Sequence, residues 1–99
     1  MMRLRVSRRA LRDLDGIFDY WAGHASLEVA DRLMEAIEEQ FALLCEMPQI
    51  GRKSDEFGHG VRSFPAGKYL IYYRKTRAFL EILHVFHGAR DQARAFSDE

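Results

Sequence analysis

Apolar positions change period along the chain, and the changes mark the elements. Met2-Arg-Leu-Arg-Val6 alternates apolar with basic side chains, the period-two pattern of a short strand with one buried face. Ser7 is a suitable N-cap, and beyond it Ala10, Leu11, Leu14, Ile17, Phe18 and Trp21 recur at three- and four-residue steps. That spacing predicts an amphipathic helix of about four turns, which Gly23 can end in a left-handed conformation. Ser26 can cap a second helix whose stripe is Ala30, Leu33, Met34, Ile37, Phe41 and Leu44, with Glu28, Asp31, Glu35, Glu38 and Glu39 toward solvent and Pro48 closing it. Two helices on a short link read as an antiparallel hairpin.

Residues 48–60 contain three glycines and a proline without a sustained period, and read as an exposed loop. Val61 to Phe64 is then a short strand, Pro65-Ala-Gly67 a turn, Tyr69 to Arg74 an aromatic and β-branched strand, and Phe79 to His87 a third strand after the polar connection Lys75-Thr-Arg77. The last strand's alternation is blurred: simple period-two counting puts Ile82 and Phe86 on one face and Leu83 and Val85 on the other. A strand apolar on both faces wants cover on both. The fold class expected is α+β: an antiparallel sheet with an N-terminal strand, a helical hairpin on one face and a C-terminal three-stranded meander. Two helices cover one face of such a sheet, so the other is expected to serve a partner.

At 99 residues the chain reads as a single domain, 1–99, with a small core. The formal charge is zero, but it is segregated: residues 1–12 carry +5, residues 13–51 carry −8, residues 52–90 carry +5 and residues 91–99 carry −2. An acidic helical hairpin is therefore flanked by basic strands. Zero net charge argues against strong binding of free nucleic acid and leaves room for a cationic face. One cysteine and no apolar run resembling a leader or a membrane span point to a cytoplasmic protein without disulfides or membrane association.

Candidate chemistry is sparse. Cys45 lies beside Phe41 and Leu44 on the apolar stripe and reads as a small core residue. His84 and His87 are three apart on a strand, so they face opposite ways and cannot chelate together; no metal and no cofactor is expected. Arg52, Lys53, Arg62, Lys68, Arg74, Lys75, Arg77 and Arg90 interleave with Tyr69, Tyr72, Tyr73 and Phe86. That composition suits a nucleic-acid surface, and equally a solvated sheet edge guarded against strand pairing.

The run Gly60-Val-Arg-Ser-Phe-Pro-Ala-Gly-Lys-Tyr-Leu-Ile-Tyr-Tyr-Arg74, followed by Leu80-Glu-Ile-Leu-His-Val-Phe-His-Gly-Ala-Arg-Asp91, closely resembles the ParE toxins of the RelE/ParE toxin–antitoxin superfamily. Leu4-Arg-Val-Ser-Arg-Arg-Ala-Leu-Arg-Asp-Leu14 is similar to their first strand and helix start, and Pro48-Gln-Ile-Gly-Arg52 to their post-helix loop. The resemblance implies a toxin of a type II system that inhibits DNA gyrase, and so growth, by binding, with no catalytic residue of its own. It also implies a hetero-oligomer with a ParD-like antitoxin. RelE-type relatives instead cleave messenger RNA on the ribosome, and aligned motifs place Arg62, Arg90 and His87 at the positions such a nuclease would use. Phe96 falls where RelE has a tyrosine, and a phenyl ring moves no proton. The residues expected to contact the target are Arg62, Arg74, His87, Arg90 and Phe96; those expected to meet the antitoxin are Phe18, Trp21 and Leu33. A non-toxic module that only binds antitoxin is the third possibility that the resemblance leaves open.

Overall fold

The computed structural model of the protein describes residues 1–88. Strand β1 (Arg3–Val6) leads into helices α1 (Arg8–His24) and α2 (Leu27–Glu46), then β2 (Arg52–Lys53), a single turn of 3₁₀ helix (Asp55–Phe57), β3 (Val61–Ala66), β4 (Tyr69–Lys75) and β5 (Phe79–His87). The five strands form one sheet in the order β1-β5-β4-β3-β2. The meander β3-β4-β5 is antiparallel as expected, whereas β1 runs parallel to β5, so the sheet is mixed.

Both helix starts are fixed by serine. Ser7 Oγ accepts the Ala10 N–H at 3.1 Å and donates to the Leu83 carbonyl at 2.9 Å, so one hydroxyl caps α1 and ties it to β5. Ser26 Oγ accepts from Val29 N–H at 3.1 Å. Gly23 does not end the first helix: α1 runs on to His24 with Ala25 as its cap, and the left-handed glycines are Gly58, Gly60 and Gly67. Ala25 N–H still reaches the Trp21 carbonyl, so the turn closes without a left-handed residue.

The hairpin lies on one face of the sheet. Ile37, Phe41 and Leu44 from α2 and Ala10 from α1 meet Ile71, Tyr73, Leu80, Ile82 and Val85, all buried. On the outer face Val61, Tyr72 and Phe86 form a second cluster with Phe57, Leu70 and Leu83. The face assignments in β5 therefore differ from simple alternation: Ile82 and Val85 face the helices, and Leu83 and Phe86 face out. The cause is a β-bulge, since Tyr73 pairs with Ile82 and Tyr72 with His84, leaving Leu83 without an opposite residue.

The loop after α2 is less exposed than its composition suggests. Gly51 and Ser54 are buried, and β2 pairs Arg52 with Ser63 and Lys53 with Arg62. Strand β3 continues through Pro65 and Ala66, so the turn is Gly67-Lys68, with Gly67 at φ +63°. Proline is tolerated there because, among the described residues, the β2 pairing stops at Ser63 and no strand adjoins that edge of β3 at Pro65.

Candidate functional site

Two tyrosines four residues apart on β4 hold the helices to the sheet. Tyr69 Oη accepts from the Trp21 indole N–H at 2.8 Å, near the end of α1. Tyr73 Oη donates to the Pro48 carbonyl at 2.8 Å and accepts the Gly51 N–H at 2.9 Å, just after α2. Burial pushes the Tyr73 phenol above its ordinary value, with the Gly51 N–H and the Arg62 charge pulling back. A Cβ at Gly51 would stand 2.7 Å from the Tyr73 ring edge, so only glycine lets the chain approach this closely.

The expected target residues do not share one place. Arg62 sits on β3 opposite Tyr73, and its Nη1 donates to the Gly51 carbonyl at 2.8 Å and the Gln49 carbonyl at 3.2 Å. It buttresses the same loop as Tyr73. Arg74 lies opposite Val61 on the other face and pairs with Glu81 at 3.2 Å. His87 stands opposite Tyr69, ring edge to ring face at 5.6 Å, which is four β4 residues or about 13 Å along the strand from Arg62. Arg90 and Phe96 lie outside the described residues.

An acid–histidine pair escaped the sequence reading. Asp13 of α1 accepts the Val85 backbone N–H at 3.0 Å through Oδ2, and His84 Nδ1 lies 3.2 Å from the same oxygen. β1 ends opposite Ile82, so among the described residues no strand pairs the edge of β5 beyond it, and Asp13 takes the Val85 N–H there. Helical spacing gives no hint of this, because it places Asp13 among ordinary solvent-side acids. Among the described residues, no group of three His, Cys, Asp or Glu side chains is placed to hold a metal ion.

Two basic residues were also missed as surface chemistry. With β1 beside β5, Arg5 stands opposite Glu81 and Arg3 opposite Phe79, on the outer face with Arg74, while Leu4 and Val6 turn to the helices. The alternation Arg3, Arg5 was legible; the neighbour that made them part of a row was not. The centre of this outer face is closed, with Tyr72 1% and Phe86 6% exposed, so the face is not the bare apolar surface expected from two helices covering one side.

The open apolar surface is elsewhere. A groove of 590 Å³ between β1, α1 and α2 is lined by Met1, Leu4, Leu11, Leu14, Phe41 and Cys45 among others, with Asp15 and Glu38 on it. Met1 is 89% exposed and Leu11 50%. Cys45 is buried at its floor, where desolvation raises its thiol above the ordinary value and the N-terminal amine opposes this. Phe18, Trp21 and Leu33 do not line this groove: all three are half-buried on the hairpin, Trp21 bonded to Tyr69 and Leu33 packed on the main core.

No helix among the described residues is long and apolar enough to cross a membrane. A family model described as "ParE toxin of type II toxin-antitoxin system, parDE" matches residues 4–92. "Toxin ParE1" of Caulobacter vibrioides is 29% identical over 87 residues, covering 88% of this chain and 90% of the relative. "Toxin ParE3" of the same organism is 27% identical over 93 residues, covering 94% and 93%. The solved structure described as "Chromosomal ParDE TA system from P. aeruginosa" is similar with a TM-score of 0.76 at 26% identity, covering 88% of this chain and 96% of that one.

Proposed function

The chain belongs to the ParE toxin family of type II toxin–antitoxin systems, and we propose that it inhibits DNA gyrase by binding and is neutralised by a ParD-like antitoxin. The observation that carries the first half is the state of Arg62. A nuclease would need that guanidinium facing a phosphate beside a general base. Here it is bonded to two loop carbonyls and stands about 13 Å along the sheet from His87. This supports a toxin that acts by occupying its target rather than by moving protons, and the expected contacts through Arg74, His87, Arg90 and Phe96 are kept as part of the proposal.

The antitoxin half draws on the similarity to a ParDE system and on the open groove. Apolar lining with Asp15 and Glu38 suits a segment that is apolar on one side and basic at its edge and that folds on docking. The groove is added to Phe18, Trp21 and Leu33 as a seat: Trp21 is bonded to Tyr69 and Leu33 packs on the main core, whereas Met1 and Leu11 on the groove stand open. The test is direct: purified protein added to gyrase and plasmid DNA raises double-strand breaks, and a cognate antitoxin abolishes the effect. Gyrase left untouched while ribosome-bound messenger is cut would establish the RNA-cleaving alternative. Leu11→Glu should weaken antitoxin binding without loss of fold, because Leu11 is half exposed.

A further inference from the structure

We propose that the outer sheet face at the β1 end is a contact for the phosphate backbone of duplex DNA, carried by Arg3, Arg5 and Arg74. The proposal rests on the gyrase reading, whose target holds DNA, and assigns the part of this chain that touches the nucleic acid.

The register sets the geometry. Arg5, Glu81 and Arg74 are direct neighbours across β1, β5 and β4, and Arg3 follows Arg5 on the same face two residues along. Two residues of a strand span about 6.6 Å, a step that lets Arg3 and Arg5 engage successive phosphates of one nucleic-acid strand. Both side chains belong to exposed residues, and no carboxylate among the described residues is ion-paired to either. The Arg5 guanidinium lies 5.2 Å over the Phe79 ring. This cation–π contact steadies the guanidinium over the ring while its N–H donors stay available for a phosphate. Glu81 is the one acid in the row, and it holds Arg74 at 3.2 Å. Apart from Asp13, which reaches the β5 edge, the acids of α1 and α2 lie on the helical layer together with Arg8, Arg9, Arg12 and Arg32, so the excess of positive charge in the outer row is its own: three arginines to Glu81.

The same face argues for a duplex rather than a single strand. Single-stranded nucleic acid is held by bases stacking on exposed rings. Tyr72 and Phe86 at the centre of this face are 1% and 6% exposed, and half-buried Phe79 lies under the Arg5 guanidinium, so these rings offer no open platform. What remains on offer is a row of guanidinium groups on a rigid strand, the chemistry of backbone contact without base readout. A chain of zero net charge should then bind duplex only weakly and at low salt, consistent with a contact that matters once the target protein has brought the DNA close.

The experiment measures anisotropy of a short fluorescein-labelled DNA duplex with the full chain between about 50 and 200 mM salt. Arg3→Gln/Arg5→Gln should lower the slope of log affinity against log salt by nearly two and cost at least about tenfold at the low-salt end. Arg32→Gln, on the helical layer, should change nothing. Glu81→Gln should tighten binding, a gain that a merely unfolded variant cannot produce. An unchanged slope in the double variant overturns the proposal, as does wild-type preference for single-stranded RNA or for an Asp/Glu-rich peptide over the duplex. Gyrase-dependent cleavage is scored separately: duplex binding through these arginines without gyrase inhibition removes the functional reading and leaves the contact standing, while inhibition that ignores the arginines removes the contact alone.

Discussion

Tyr73→Phe removes one oxygen and two hydrogen bonds at the point where α2 is handed to the sheet. The lost donor had reached the Pro48 carbonyl at 2.8 Å, a bond worth about 1 kcal/mol net. The lost acceptor leaves the N–H of buried Gly51 without its partner at 2.9 Å, at a cost of about 1–3 kcal/mol. Together these give a destabilisation of about 2–4 kcal/mol, a large part of the roughly 5–15 kcal/mol such a domain possesses. Urea unfolding should show the midpoint falling at unchanged m, and calorimetry a Tm drop of about 4–8 °C per kcal/mol. Gly51→Ala should hurt comparably, because its Cβ meets the Tyr73 ring edge at 2.7 Å. The double variant Tyr73→Phe/Gly51→Ala should be less damaged than the sum, since each change already disrupts the same contact and the hydroxyl that crowds the new methyl is gone. A loss below about 0.5 kcal/mol for Tyr73→Phe, or strict additivity of the pair, would refute the view that this hydroxyl holds the loop.

Asp13→Ala should cost about 2–3 kcal/mol in urea unfolding, because the Val85 N–H and His84 both lose their carboxylate, whereas a surface acid such as Glu35→Ala should stay within about 0.5 kcal/mol. Raising the pH should destabilise the protein: burial raises the Tyr72 and Tyr73 phenols and the Cys45 thiol above their unfolded values, so the fold retains those protons and loses stability as pH climbs past about 9 to 10; melting curves between pH 7 and 11 check the sign. Ser7→Ala should lower stability by about 1–2 kcal/mol, since it removes the α1 cap and the bond to Leu83 together, and thermal melts read it directly. Antitoxin docked in the groove should slow alkylation of Cys45 well beyond its already low free rate, measured by mass spectrometry of the complex against the free toxin.

Local periodicity made both helices, their serine caps and the three meander strands legible, because each is decided by residues a few positions apart. What stayed hidden depends on partners far along the chain. β1 joins the sheet parallel to β5, some seventy-odd residues away, and nothing within Met2 to Val6 names that neighbour. One extra residue at Leu83 reversed the expected faces of the following apolar positions, and period-two counting has no way to locate a bulge. β2 is only Arg52–Lys53, too short to show alternation. The candidate site suffered for the same reason. Arg62 and Arg74 looked equivalent as basic strand residues, yet their registers against Tyr73 and Val61 send one into the loop and the other to the outer face. Arg3 and Arg5 became a surface row only through the parallel pairing.

The residues that carry the family resemblance have mostly structural employment, and this bears on where toxicity should be sought. In the pattern Tyr69-x-x-x-Tyr73-Arg74 the tyrosines bind Trp21 and the Pro48–Gly51 loop, and in Pro48-Gln-Ile-Gly51-Arg52 the proline carbonyl and glycine N–H are the other ends of those bonds. Arg62 closes the same arrangement through Gln49 and Gly51. Such groups serve to tie the helical hairpin to the sheet, whatever the sheet then meets. The pattern therefore identifies the fold family well and discriminates gyrase from ribosome poorly. Loss of function on substituting Tyr69, Tyr73 or Arg62 would report a loosened molecule as readily as a lost contact, and so would say little about the target. Solvent-facing side chains are the informative ones: changes at Arg3, Arg5 or Leu11 leave the core untouched, so any loss of gyrase inhibition or antitoxin binding there reports a contact and not a fold.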